Sequence, residues 1–222
     1  MNKLFHVITT LCVFFTGAAF AQPMDDQDPY QNFNRHMYAF NDGVDKIVIK
    51  PLATVYQSIT PDFLRTGVTN IYRNIDTIPT IVNDALQADT ADLSKDTWRL
   101  LINSTIGVAG FWDIASHMNI PFHQSDFGLT LAKWGYKNSN YLVLPLFGPS
   151  TVRDTIGLPV NYGTSIYPYI DDTTSYSLQG LYIINTRANL LNYDGVLKQA
   201  FDPYVMVRNG YLQRRDNAIK LN

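Results

Sequence analysis

From Asp28 to Pro51 the chain reads DPYQNFNRHMYAFNDGVDKIVIKP, and the spacing of its apolar residues decides the fold class. Phe33, Met37, Phe40, Val44 and Ile47 recur at intervals of four, three, four and three, which places them on one face of a helix. Asn34, Arg35, Asn41 and Asp45 fall elsewhere on the wheel. Asp28-Pro29 opens the segment as a capping side chain before a proline at the first helical position, where the missing N–H costs nothing. The spacing predicts one amphipathic helix of about four turns, from Pro29 to Ile47, ending before Pro51 because the residue ahead of a proline disfavours helical geometry.

The same start signal returns at Thr60-Pro61 and Asp202-Pro203. Helical patterns follow at 62–75, 78–88, 90–103, 107–117, 126–134, 151–164, 175–192 and 203–218, so the expected class is all-α. From Leu100 to Ala115 the chain is largely apolar, but Asn103, Gly107, Gly110 and Asp113 interrupt it. Two short packed helices hinged near Gly107 fit better than one continuous span. From Tyr141 the run YLVLPLFGPS carries Pro145, Gly148 and Pro149, which predicts an extended crossing segment or short strand. No internal repeat or low-complexity tract is present.

The first 21 residues read as a removable secretion signal, with Lys3 at the start, an apolar stretch from Leu4 to Thr16, and small residues at Ala19 and Ala21. The expected mature chain is a single domain, 22–222. Cys12, the one cysteine, lies inside the signal, so no disulfide or cysteine metal site is expected. Losing Lys3 takes the formal charge from −2 to −3, and no basic tract exists to neutralise a row of phosphates. Nucleic acid is thereby excluded as a partner. Charged residues are only 16% of the chain while aromatics reach 13%, with fourteen tyrosines, a balance that suits lipid or protein interfaces as well as a core. Outside the signal there is no apolar run long enough for a simple transmembrane helix.

Enzyme signatures are poor. His36, His117 and His123 are the histidines of the mature chain, and none pairs with another at helical i,i+4 spacing, so no metal and no cofactor is expected. Gly148-Pro149-Ser150 lacks the glycine and the strand-turn-helix setting of a nucleophile elbow. No catalytic residue is assigned, and a phospholipase-like hydrolase stays as an alternative because serine, histidine and aspartate converge in space from any chain order.

Several motifs in order resemble one family. Asp28-Pro29-Tyr30-Gln31-Asn32-Phe33-Asn34-Arg35, followed by Met37, Phe40 and Asn41, is similar to the opening signature of the MlaA (VacJ) outer-membrane proteins, with Gln31 where the family has an acidic residue. Asn103 to Ala115, Asp126 to Leu131, Trp134-Gly135, Leu144 to Asp154, and Asp202 to Arg208 with Tyr211 to Arg214 follow in the family's order, so the resemblance covers almost the whole mature chain. It implies a ring-like bundle of amphipathic helices in the inner leaflet of the outer membrane, around a polar-lined pore. It also implies phospholipids as cargo, a trimeric outer-membrane porin as partner, and a soluble periplasmic carrier that receives the lipid. Leu11 stands where a small residue should precede a lipidated cysteine at Cys12, so no lipid anchor is expected.

Within that expectation, Asn34, Phe40, Asn41, Arg153 and Asp154 are the candidates for lining the lipid path. Asn41 sits beside the apolar stripe, where it would face a wet channel, and Arg153-Asp154 reads either as a charged gate or as a local ion pair. Phe33, Met37, Val44 and Ile47 are candidates for the membrane or packing face. Gly107 and Gly110 are placed with them, since a missing side chain admits either a lipid or a neighbouring helix. A scaffold that holds a porin and moves no lipid remains the other reading.

Overall fold

The computed structural model describes residues 28–221; the signal segment, Cys12 and the expected cleavage after Ala21 lie outside them. Ten α-helices and one hairpin follow in order among these residues: α1 Gln31–Val44, α2 Lys50–Ile59, α3 Asp62–Leu86, α4 Thr90–Thr105, α5 Ile114–His117, α6 Phe127–Lys133, β1 Tyr141–Leu144, β2 Gly148–Thr151, α7 Val152–Thr164, α8 Asp172–Leu190, α9 Asp194–Gln199 and α10 Pro203–Leu221. The strands pair antiparallel, Tyr141 opposite Thr151 and Leu144 opposite Gly148.

Aspartate or threonine side chains cap six of these helices. Asp89, Asp113, Asp126, Thr151 and Asp171 each accept the backbone N–H three residues on, satisfying a donor the first turn leaves free. Of the three proline-linked starts, only Asp202 acts this way, accepting from the Val205 N–H. Thr60 and Asp28 do not cap, and Asp28 is spent on tertiary partners instead.

Pro51, expected to end a helix, does not. The chain runs from α1 through a π-helical turn, Asp45–Ile49, directly into α2, and the Lys50 N–H reaches back five residues to Asp45 O. The wider turn leaves Pro51 in the first turn of α2, where its absent N–H is not needed. Pro79 lies inside α3, so the segments expected at 62–75 and 78–88 are one helix of 25 residues. Side chains add bonds to the backbone around it: Thr77 and Thr80 hydroxyls donate to Arg73 O and Asp76 O, and the Asn83 amide donates to Pro79 O. A third correction concerns 107–117, where only α5 is helical. Val108 and Ala109 adopt left-handed backbone with φ of 53° and 54°, and Gly110 follows at 90°.

A small apolar cluster of Tyr141, Val143 and Tyr204, with Met37, Tyr38 and Tyr211 against it, joins α1, β1 and α10. Elsewhere α3 packs along α4, α2 along α8, and α6 along α7.

Candidate functional site, a polar interior behind an apolar exterior

The described residues bury nine hydrophobic side chains and twenty-two polar or charged ones, the reverse of an ordinary water-soluble core. α3 turns Asn74, Thr77, Thr80, Asn83 and Asp84 inward, and α4 turns Asp96, Arg99 and Asn103 to meet them. The apolar faces point out. Val48, Leu52, Val55 and Ile59 recur at four, three and four residues along α2 and its entry, all about half exposed or more, and Phe63 extends the stripe onto α3.

The predicted stripe of α1 divides. Met37 packs on the small core and Phe33 and Val44 are partly covered, whereas Phe40 is 49% exposed and Ile47 78%. The one fully buried residue of α1 is an asparagine, Asn34. Its amide donates to Asp28 Oδ1 at 2.8 Å and Tyr141 O at 3.1 Å, and its oxygen accepts the Val143 N–H at 2.8 Å. Two turns on, Asn41 donates to Leu144 O at 2.9 Å and accepts the Leu146 N–H at 2.7 Å. Together the two asparagines substitute for a third strand along the free edge of β1. Asn34, with no exposed surface, is therefore corrected from a path-lining residue to a structural one, because every amide group it has is committed inside the protein.

Arg153 and Asp154 belong to a buried charge network. The Arg215 guanidinium bonds Asp126 at 2.6 Å and Asp154 at 2.7 Å, Arg153 bonds Asp154 at 2.9 Å, and the Tyr211 hydroxyl donates to Asp154 at 2.8 Å. Burial works to raise the Asp154 carboxyl, but Arg215, Arg153 and the Tyr211 hydroxyl outweigh it and hold it below the usual range. Gly128 is needed here, since a Cβ at that position would lie 2.2 Å from Asp154 Oδ1. Beside the network a cavity of about 400 Å³ is bordered by Lys137, Asn140, Arg153, Leu212, Arg215 and Asp216. Arg153 also donates to Lys137 O, so it ties α7 to the segment before β1 as well as bordering this opening.

A second set lies where α3 meets α8. Tyr72 donates to Leu178 O at 2.7 Å and its ring stands edge-on to Tyr182 at 5.0 Å. Burial pushes the Asp76 carboxyl up to about 6 and the Tyr72 phenol to about 12, and it raises Tyr167 and Tyr182 as well. Yet Asp76 and Tyr167 keep accessible surface and Tyr182 is 41% exposed. Asp76, Tyr167 and Tyr182 are thus desolvated and still accessible. The charges of Asp76 and Arg214 both act on Tyr182.

Gly107 and Gly110 serve packing. A Cβ on Gly110 would come within 2.5 Å of Asn74, and one on Gly107 would meet the Trp112 and Asn103 carbonyls. A cavity of about 440 Å³ has a lining that includes Phe63, Asn70, Phe111, Trp112, Asp113 and His117. Among the described residues no helix is long and apolar enough to cross a membrane.

The family model described as "MlaA lipoprotein" matches residues 26–218. The chain belongs to the MlaA family. It is 35% identical over 199 residues to the intermembrane phospholipid transport system lipoprotein MlaA of Escherichia coli K12, covering 85% of this chain and 77% of that protein. The Haemophilus influenzae protein of the same name is 29% identical over 198 residues, covering 86% and 79%. An uncharacterised Rickettsia felis protein is 36% identical over 196 residues, covering 87% and 78%. A solved structure described as "Structural basis for maintenance of bacterial outer membrane lipid asymmetry" superposes with a TM-score of 0.76 at 31% identity, covering 86% of this chain and 98% of that one.

The MlaA-type motifs converge in space. Asp28 and Asn34 of the first motif meet Tyr204 and Arg208 of the last, where Asp28 accepts from both the Tyr204 hydroxyl and the Arg208 guanidinium, and Arg35 pairs with Asp202 at 2.7 Å. Asp126, Arg153, Asp154 and Arg215 join the middle motifs to α10. Tyr72, Asp76, Tyr167, Tyr182 and Arg214 escaped the sequence reading as site residues. Their signal was available, since Tyr72 and Asp76 stand one turn apart on the inward side of α3.

Proposed function

We propose that this MlaA-family chain is the outer-membrane part of a phospholipid transport system, taking phospholipids that have strayed into the outer leaflet and passing them to a soluble periplasmic carrier. The result is an outer membrane kept asymmetric. The observation that carries this reading is the inverted amphipathicity of α2, α3 and α4. Burying a large apolar side chain is worth about 1.5–3 kcal/mol, so the five side chains Val48, Leu52, Val55, Ile59 and Phe63, at half that value for partial exposure, come to roughly 4–7 kcal/mol. That is comparable to the stability of a small domain, and hydrocarbon recovers it where water does not.

The exterior then sits in the inner leaflet of the outer membrane, its helices lying in the interface rather than crossing it. A headgroup pulled through hydrocarbon loses its hydration at large cost, and a protein wall carrying a carboxylate, a guanidinium and tyrosine hydroxyls replaces part of that hydration without chemistry. Asp76, Tyr182 and Arg214 are the residues assigned to the path, and Phe40 is assigned to the lipid-facing exterior. A trimeric porin is the partner expected alongside the ring. At the one serine considered as a nucleophile, Ser150, the hydroxyl bonds Thr151 O and Thr155 Oγ1 instead of a histidine, which favours transport over hydrolysis.

The test is the lipid composition of the outer leaflet in cells whose chain carries Asp76→Leu at unchanged abundance. The reading expects phospholipid to accumulate there, with sensitivity to detergent plus chelator. A normal leaflet would take the path off this wall.

A further inference from the structure

Asp84 near the end of α3, Asp96 on α4 and His123 in the segment before α6 come together from three parts of the chain. His123 Nδ1 lies 2.9 Å from Asp96 Oδ2 and 4.0 Å from Asp84 Oδ1, and one donor atom from each residue falls within 4.8 Å of the others. Both carboxylates are almost wholly buried, at 1% exposure each. Asp84 Oδ2 and Asp96 Oδ1 are left without a hydrogen-bond partner among the described residues. Arg99, one turn beyond Asp96, does not neutralise them through its terminal nitrogens, which bond Asp113, Ser116 and Ile120 O. Two buried carboxylates with orphaned oxygens are expensive unless a positive charge completes them.

We propose that Asp84, Asp96 and His123 bind one divalent transition cation of the zinc type. Two carboxylates match a 2+ charge, and the imidazole nitrogen turns preference from magnesium and calcium, which favour all-oxygen shells, toward zinc. Donor atoms around an ion at about 2.1 Å lie roughly 3–4 Å apart, so the widest separation in the trio needs to close by about 1–2 Å. The His123 side chain is 30% exposed, which gives an entry route and a place for a water ligand. The cation would staple α3, α4 and the segment leading into α6, beside the inward polar face rather than on the Asp76 wall. Sequence spacing pointed away from a metal here because the three ligands are scattered over about forty residues and include a single histidine.

The experiment uses purified, tag-free full-length protein in detergent, stripped with chelator and titrated with zinc, magnesium or calcium by calorimetry and thermal melting. The expected result is one zinc per chain with a saturating rise in melting temperature, no comparable response to magnesium or calcium, and at least tenfold weaker zinc binding in Asp96→Asn. His123→Gln, at a partly exposed position that tolerates change, should fold normally and lose the same response. Absence of saturable zinc binding in the wild type, or an unaltered response in His123→Gln, overturns the proposal and leaves Asp84 and Asp96 as a pair sharing a proton.

Discussion

Asn41 holds the tip of the hairpin through both ends of its amide, accepting from the Leu146 N–H at 2.7 Å and donating to Leu144 O at 2.9 Å. Leu146 sits at φ 67°, a conformation that leucine avoids, and it and Phe147 expose most of their surface. The contact fixes a strained, apolar loop against α1.

Asn41→Leu therefore frees the tip without emptying a core. Losing these two bonds costs about 1–3 kcal/mol locally, and amide exchange at 144–148 should quicken while α3 and α4 stay protected. Asn34→Leu should behave differently. It strands Asp28 Oδ1 and the edge of β1 in a buried setting, while Tyr204 and Arg208 still hold Asp28 Oδ2, so a loss of about 3 kcal/mol and reduced abundance in the membrane are expected. Equal exchange profiles in the two variants would contradict the distinction.

Arg215→Met removes the cation that Asp126 and Asp154 share. Breaking a buried pair costs up to about 3–5 kcal/mol, and Arg153 and the Tyr211 hydroxyl still hold Asp154, so chemical denaturation should show a clear drop below that limit, and Asp154→Asn in the same chain should restore part of it. Additive losses in the double variant would mean that the two residues do not interact as drawn.

Two carboxylates give opposite pH responses. Asp76 is raised to about 6 in the folded chain, so its contribution is fully present below the ordinary carboxylate value and is lost as pH rises through about 6. Asp154 is depressed, so its contribution is present above the ordinary value and is lost as pH falls through its folded one. Asp76→Asn should match the wild type in melting temperature near pH 4 and exceed it at pH 7. A variant that is less stable at pH 7 would show that the Asp76 charge is welcome on its wall.

Much of the helical plan was legible because apolar spacing and capping residues are local signals; α6 and α7 fall within a residue or so of their expected bounds. Pro51 misled because a π turn absorbs it, and the stretches expected at 62–75 and 78–88 are one helix that continues through Pro79. The deeper limit concerns direction. Periodicity marks an apolar stripe but does not say which solvent it faces, so the exposure of Phe40 and Ile47 and the burial of Asn34 went unseen. The wall at Asp76 and Tyr182 needed the path of α8 across α3, which no local pattern carries.

The central claim is that water reaches the polar wall while lipid covers the apolar exterior, and thiol labelling in intact outer membranes tests it most directly. Cys12, the chain's single cysteine, lies in the segment expected to be removed, so single-cysteine variants report one site each. A membrane-impermeant maleimide admitted to the periplasmic side should label Tyr182→Cys in intact membranes and leave Ile59→Cys unmodified until detergent is added. Labelling of Ile59→Cys at the same rate with and without detergent, or protection of Tyr182→Cys, would contradict the account.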